Sequence, residues 1–278
     1  MDTLTPKHPD KEGALGRRYG AAIPPAGPWN ATIAGLMEHR SVRGYKPDPV
    51  PDGTLETLVA AAQSAATSSN MQWCSAIAVT DPARKKVLAE IAGGQKHIEQ
   101  CPLFIAWVAD MARNQRVSDA QKTGFECMPW LETFMVACID VALAAQNAVV
   151  AAESLGLGTV YIGAMRNDPV RVAGLLHLPK QAFVVFGLCV GYATETGAGE
   201  VKPRLPQGVV LHREHYDAGR EAALRPMYDA EMTQFSQRHE LQAATWTQRV
   251  LNRLGPIKSM NGRERMRTAL ASLGFEIR

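Results

Sequence analysis

Positive charge and hydrogen-bonding side chains concentrate in HRSVRGY, residues 39–45, where His39, Arg40, Ser41 and Arg43 stand almost side by side. Guanidinium and hydroxyl groups hold phosphate oxygens through charge-assisted hydrogen bonds, so the stretch is either one wall of an anion site or a solvated turn. Four more clusters carry a similar double reading. Thr67, Ser68, Ser69 and Asn70 can meet a ligand's polar edge or cap a helix end. GGQKH, 93–97, can bring backbone and Gln95 close to a ligand, and its paired glycines also end a helix. YIGAMR, 161–166, follows a strand, where Gly163 lets backbone amides face a flat ligand or makes a tight turn. Lys202-Pro203-Arg204 holds two cations around a rigid ring, as a phosphate clamp or as a charged loop.

Several chemistries find no support. GLGTVYIG lacks the G-x-G-x-x-G spacing of a dinucleotide fold, and there is no P-loop and no G-x-S-x-G nucleophile elbow. His212-Arg213-Glu214-His215 is not H-E-x-x-H and reads as a surface turn, so no metal site is expected. Five cysteines, none in C-x-x-C, read as reduced thiols of a cytoplasmic protein. A net charge of +3 gives no case for nucleic acid. The N-terminus shows no secretory signal, and no stretch approaches an uninterrupted apolar membrane span.

The elements that position these clusters follow from periodicity. Residues 1–30 are polar and then rich in Pro and Gly, and read as an N-terminal arm, mobile or draped on the surface. A short apolar helix, Ile33 to Met37, delivers the chain into HRSVRGY. Leu55, Leu58, Val59 and Ala62 make one helical face. Residues 66–73 read as loop, and 76–80 as a strand. Asp81-Pro82 starts a helix that Gly93-Gly94 stops. Leu103–Val108, 159–163 and Phe183–Val190 read as strands. Residues 111–130 show no clear pattern. Thr133 to Glu153 is a long helix, apolar nearly all round, which marks a central element. Polar helices and a late amphipathic piece, Met266 to Leu273, complete an α+β chain.

Taken in order, HRSVR, ATSSNMQ, GGQKH, AAQNAVVAAESLGLGTVYIGAMRND, FGLCVGY and KPRLP resemble the nitroreductase family, and within it the NADPH-dependent group A branch. The likeness covers roughly residues 32–216 and continues more weakly beyond. It implies a core over 31–216, with 217–278 as a C-terminal helical extension packing on that core or on a partner subunit. It further implies a three-layer fold, a central mostly antiparallel sheet flanked by helices, in an interlocked homodimer with FMN bound at the interface.

The same resemblance assigns His39, Arg40 and Ser41 to the FMN phosphate and ribityl chain, and Arg43 to the N1/O2 side of the ring. A cation there favours the anionic reduced flavin. Thr67 and Ser69 would line the flavin from the second chain, with Gln95 at the ring's polar edge. Tyr161, Ile162, Gly163 and Ala164 would run along the ring, with a backbone amide near N5. Lys202 and Arg204 would complete the phosphate clamp, and Arg166 and Arg238 are the candidates for NADPH. No protein nucleophile is implied: hydride passes from NADPH to the flavin and then, by a ping-pong scheme, to a nitroaromatic, a quinone or a free flavin. Four departures matter: the first 30 residues, Ala164 where a glycine is common, the longer C-terminal stretch GPIKSMNGRERMRTA, and the stretch 111–130. The last leaves open a specialised reduction, dehalogenation or dehydrogenation. A non-catalytic flavin sensor is the remaining alternative.

Overall fold

The computed structural model describes residues 10–278. In chain order the elements are α1 (Lys11–Tyr19), α2 (Ala31–Met37), α3 (Thr54–Gln63), β1 (Cys74–Val79), α4 (Pro82–Ile91), α5 (Lys96–Gln100), β2 (Leu103–Asp110), α6 (Met111–Gln121) and α7 (Leu131–Ser154). They continue with β3 (Gly158–Ile162), α8 (Pro169–Leu175), β4 (Ala182–Gly191), α9 (Gln207–Val210), α10 (Gly219–Arg238), α11 (Trp246–Leu254) and α12 (Met266–Ser272). The described chain forms two compact units: residues 10–40 with 200–259, and residues 41–199 with 260–278.

The second unit is built on a sheet of order β1-β2-β4-β3, antiparallel throughout. All eight residues of β2 are buried. Its side chains alternate between two cores, as a strand's period of two requires. Leu103, Ile105, Trp107 and Ala109 face a core shared with α3, α7 and the chain's last residues, whereas Phe104, Ala106 and Val108 face one shared with α4 and α5. Helix, sheet and helix thus make the three layers of the expected α+β fold.

The long apolar helix is α7, but it is not buried all round. Ala137, Val141, Ala144, Ala145, Ala148, Val149 and Ala152 pack inward, with small side chains that let the sheet approach closely. Leu131, Met135, Ile139 and Leu143, spaced four apart, remain about half exposed at 47%, 47%, 53% and 45%. By length and composition alone α7 could cross a bilayer, although Asp140, Gln146 and Asn147 interrupt it.

The edge of β3 carries the HRSVRGY stretch. Ser41 bridges to Thr159 and Tyr45 to Ala193. The Val42 amide donates to the Thr159 carbonyl at 2.9 Å and the Arg43 amide to Gly197 at 3.1 Å. Val42 and Tyr45 point into the core, which leaves Ser41 and Arg43 exposed. Gly44 is required here, because a Cβ would lie 2.8 Å from Thr194 Oγ1 and 3.0 Å from Gly197 Cα.

One sequence expectation needs correction, and one stretch without a sequence pattern proves helical at its start. Part of the supposed arm is helix α1, with Ala14, Leu15 and Arg18 buried. Asp10 caps it by accepting from the Glu12 and Gly13 amides at 3.1 and 3.0 Å. The residues that argued for an arm, Pro24, Pro25, Gly27 and Pro28, lie beyond this helix; residues 1–9 fall outside the described part. The patternless stretch 111–130 opens with α6, which Asp110 caps through the Arg113 amide at 3.0 Å. Only Met111, Ala112 and Ser118 of α6 are buried, so it has no apolar stripe to read.

Candidate functional site

In the second unit, Arg43 projects from the edge of β3 with its backbone fixed on both sides, and it makes no ion pair among the described residues. Its charge acts on the titration of His97. Burial first, and then the Arg43 charge, hold the His97 imidazole below its ordinary pKa, so it is neutral at pH 7. His97 Nε2 is buried with no hydrogen-bond partner. A buried polar atom without a partner is costly and asks for an occupant. On the same segment Gly93 and Gly94 take positive φ, at 78° and 81°, and end α4 as expected. Gln95 Nε2 donates to the Ala92 carbonyl at 3.1 Å.

The ATSSNMQ loop is held from below by a residue that periodicity passed over. Asp140, 5% exposed on α7, accepts from the Thr67 hydroxyl, and its other oxygen accepts from the Ser68 amide at 3.1 Å. Thr67 Oγ1 in turn accepts from the Gln72 amide at 3.0 Å. The Thr67 hydroxyl is therefore taken up by Asp140 of α7 and the Gln72 amide, while Ser69 is exposed. Ser69, Asn70 and Gln72 all take the left-handed conformation, at φ 48°, 55° and 53°. Such a run persists only when its surroundings over-determine it, and it is a mark of functional loops. The visible signal was a lone carboxylate inside VACIDVALA. Arg113 supports the far side, its Nη1 donating to the Gln72 carbonyl at 2.7 Å. A cavity of about 390 Å³ lies against Thr67, Trp73, Trp107, Arg113 and Asp140.

Along YIGAMR, Ile162 and Ala164 are buried in the core, so their backbone is what they can offer a ligand. Tyr161 packs edge-on against Phe186 at 4.9 Å. Arg166 turns inward to donate to the Val185 carbonyl, and its guanidinium lies 3.2 Å from where a Gly163 Cβ would be. That placement makes Arg166 a tether between the 163–167 turn and β4.

The first unit holds the remaining cations. Arg40 is exposed, with Nη1 on the Glu38 carbonyl at 3.3 Å, and His39 is half-buried. Lys202 lies over the Phe235 ring at 5.6 Å. Arg204 is exposed and its Nη1 donates to the Lys202 carbonyl at 3.2 Å. The Tyr228 hydroxyl steadies this loop by donating to the Pro203 carbonyl at 3.0 Å. Arg238 forms an exposed ion pair with Glu200 at 3.2 Å. One more residue reaches both stretches: Arg18 Nη2 donates to the Met37 and His39 carbonyls at 2.5 and 2.8 Å, and its Nη1 to Lys202 at 2.9 Å. It lies on the supposed arm, where no motif pointed to it.

The second unit is a three-layer α+β fold on an antiparallel sheet. The nitroreductase family model matches residues 36–192, and the model of that family's C-terminal domain matches residues 202–278. The chain belongs to the nitroreductase family. It is 42% identical over 188 residues to a Bacillus subtilis protein named FMN reductase (NAD(P)H), spanning 67% of this chain and 75% of that one. It is 38% identical over 204 residues to the oxygen-insensitive NADPH nitroreductase of Salmonella typhimurium, spanning 73% and 82% respectively. The solved structure of B. megaterium NfrA2 superposes with a TM-score of 0.84 at 37% identity, covering 90% of this chain and all of that one.

Proposed function

We propose that this chain is an FMN-dependent oxidoreductase that takes hydride from NADPH and delivers two electrons to nitroaromatics, quinones or flavins. The observation that carries the reading is the Arg43–His97 cradle: an exposed guanidinium beside a buried imidazole nitrogen without a partner, on the stretches HRSVRGY and GGQKH. The names of the relatives, FMN reductase and NADPH nitroreductase, support it.

When bound, FMN supplies a two-electron carrier between a nicotinamide and an electron-poor acceptor. The protein's part is placement and electrostatics. Arg43 presents a fixed positive charge to the ring's pyrimidine side, where negative charge grows on reduction. His97 stays neutral beside it, so it can meet the ring as a hydrogen-bonding group without adding charge. Gln95 would meet the ring's polar edge, Gly163 would offer a backbone amide, and Tyr161, Ile162 and Ala164 would border the ring. By the family resemblance, His39, Arg40, Ser41, Lys202 and Arg204 would hold the phosphate and ribityl chain. Thr67 and Ser69 reach the flavin of a second copy in a homodimer, and the exposed Leu131–Met135–Ile139–Leu143 stripe supports that association. Arg238 is the candidate for the NADPH 2′-phosphate, which would have to displace Glu200. The cytoplasm suits a protein whose five cysteines are free.

Purified protein should be yellow, and its flavin absorbance should bleach on adding NADPH more readily than on adding NADH. Colourless protein that takes up no added FMN would sink the proposal. Turnover of a simple nitroaromatic or quinone at ordinary enzyme rates separates this reading from a specialised relative, and NADPH oxidation separates it from a sensor.

A further inference from the structure

We propose that Arg18 is a positioning residue: from helix α1 it fixes the His39–Arg40 and Lys202–Arg204 segments as one preformed anion-binding frame. The inference rests on the FMN reading above, and it adds a residue to which neither the family model nor the sequence motifs point. The matched spans begin at residue 36, so Arg18 stands outside them.

Arginine is rarely buried, yet Arg18 is only 5% exposed. A buried cation is tolerated when its donors are taken up. Those of Arg18 go to backbone carbonyls of two segments remote in sequence: Met37 and His39 on one side, Lys202 on the other. Its own carbonyl accepts from the Arg204 amide at 2.8 Å. One residue thus joins α1, the entry to HRSVR and the KPR loop. Met37 and His39 are alternate residues whose carbonyls both meet the same nitrogen. Arg17 adds an ion pair to Glu38, between them, at 2.5 Å.

Helix α1 is itself anchored well enough to serve as a brace. Ala14 and Leu15 are buried. Lys11 Nζ donates to the Ala26 and Gly27 carbonyls at 2.5 and 2.7 Å. Past its end, the Ala21 amide donates to Glu231 Oε1 of α10 at 3.0 Å.

The braced segments carry the exposed cations Arg40, Lys202 and Arg204. Like charges repel, and a flexible pair of loops would spread them apart. Holding the backbones in place moves the ordering cost from binding to folding, which is how preorganisation raises affinity. A planar fork with five donors can meet three carbonyls at once; a lysine ammonium on a flexible stem cannot hold the same geometry. The frame acts on the anionic end of the ligand, so its loss should weaken FMN and spare riboflavin, which has no phosphate.

The test uses full-length Arg18→Lys and Arg18→Met, stripped of flavin. Dissociation constants for FMN and riboflavin come from flavin fluorescence, and amide exchange is followed across residues 37–43 and 200–206. Turnover is measured at saturating FMN. The expected result is a rise of roughly tenfold or more in the FMN constant, as for loss of hydrogen bonds to a charged group. Riboflavin binding and turnover should stay nearly unchanged, and exchange should rise in both segments. A folded Arg18→Lys protein with unaltered FMN affinity overturns the proposal, as does equal weakening of FMN and riboflavin. If both variants exchange throughout the chain, Arg18 serves folding in general and the proposal fails. Wild-type protein that is protected in both segments but binds no FMN sinks the FMN reading itself, and the phosphate role with it. Wild-type binding with indifferent variants sinks the brace alone.

Discussion

Arg43 and Arg204 are both exposed arginines in short loops, and their surroundings assign them different work. Arg43 shares its environment with a neutral imidazole, whereas Arg204 sits on a loop of cations. Arg43→Ala should lower the rate of flavin reduction by roughly tenfold or more, as expected for a charge that acts where negative charge develops. Arg204→Ala should instead raise the FMN dissociation constant and leave the rate of the loaded enzyme close to wild type. Stopped-flow reduction and flavin titration measure the two, and equal losses of both properties in both variants would contradict the division. His97 adds a pH dependence. Its folded pKa lies below the ordinary 6.5 because burial, and then Arg43, oppose the imidazolium. Above the unfolded pKa both states hold neutral imidazole and stability is complete. Below it the unfolded chain takes up a proton that the folded chain refuses, so stability is lost as pH falls. The urea midpoint should drop between about pH 7 and pH 5, and His97→Gln should make that drop shallower. An unchanged slope would remove His97 from the account.

The loop 67–72 shows how an element can be held by one buried carboxylate. Asp140→Ala removes the acceptor of the Thr67 hydroxyl and the Ser68 amide, leaving both without their partner. The cost should be about 1–3 kcal/mol, the usual penalty for unsatisfied polar groups, read as a lower denaturant midpoint. A midpoint equal to wild type would show that the loop holds without Asp140. This interaction also marks the limit of the sequence. The strands β1 to β4 and the start of α4 were legible because weak alternation, short apolar runs and an Asp-Pro cap are local properties. The five motifs were legible as stretches. Their internal commitments were not: Thr67 is taken up by Asp140, which is 73 residues away, and Arg166 by Val185. Helix α6 was missed because it buries almost nothing, and α1 because the packing that makes it a helix comes from distant chain. Hydrogen bonds between remote residues leave no period in a sequence.

At the scale of the whole molecule, the decisive feature is a helix with more apolar surface than its own chain covers. The inward side of α7 is lined by alanine and valine, and its outward side carries Leu131, Met135, Ile139 and Leu143 at intervals of one helical turn. Large apolar side chains repeated along one face mark an association surface. In the proposed homodimer, a second copy of the chain would supply a matching stripe by symmetry. Ile139→Glu puts a charge in the middle of it, on a position about half exposed, where a folded single chain tolerates it. Light scattering should give the wild type the mass of two chains and Ile139→Glu the mass of one. If Thr67 and Ser69 meet the flavin of the second copy, the single-chain variant should also lose FMN, although it touches none of the assigned contacts. An exchange of Glu132, also exposed but polar, for Gln should change neither property. A wild type that keeps FMN at the mass of one chain would refute the shared site, and Ile139→Glu that remains dimeric would place the interface away from this stripe.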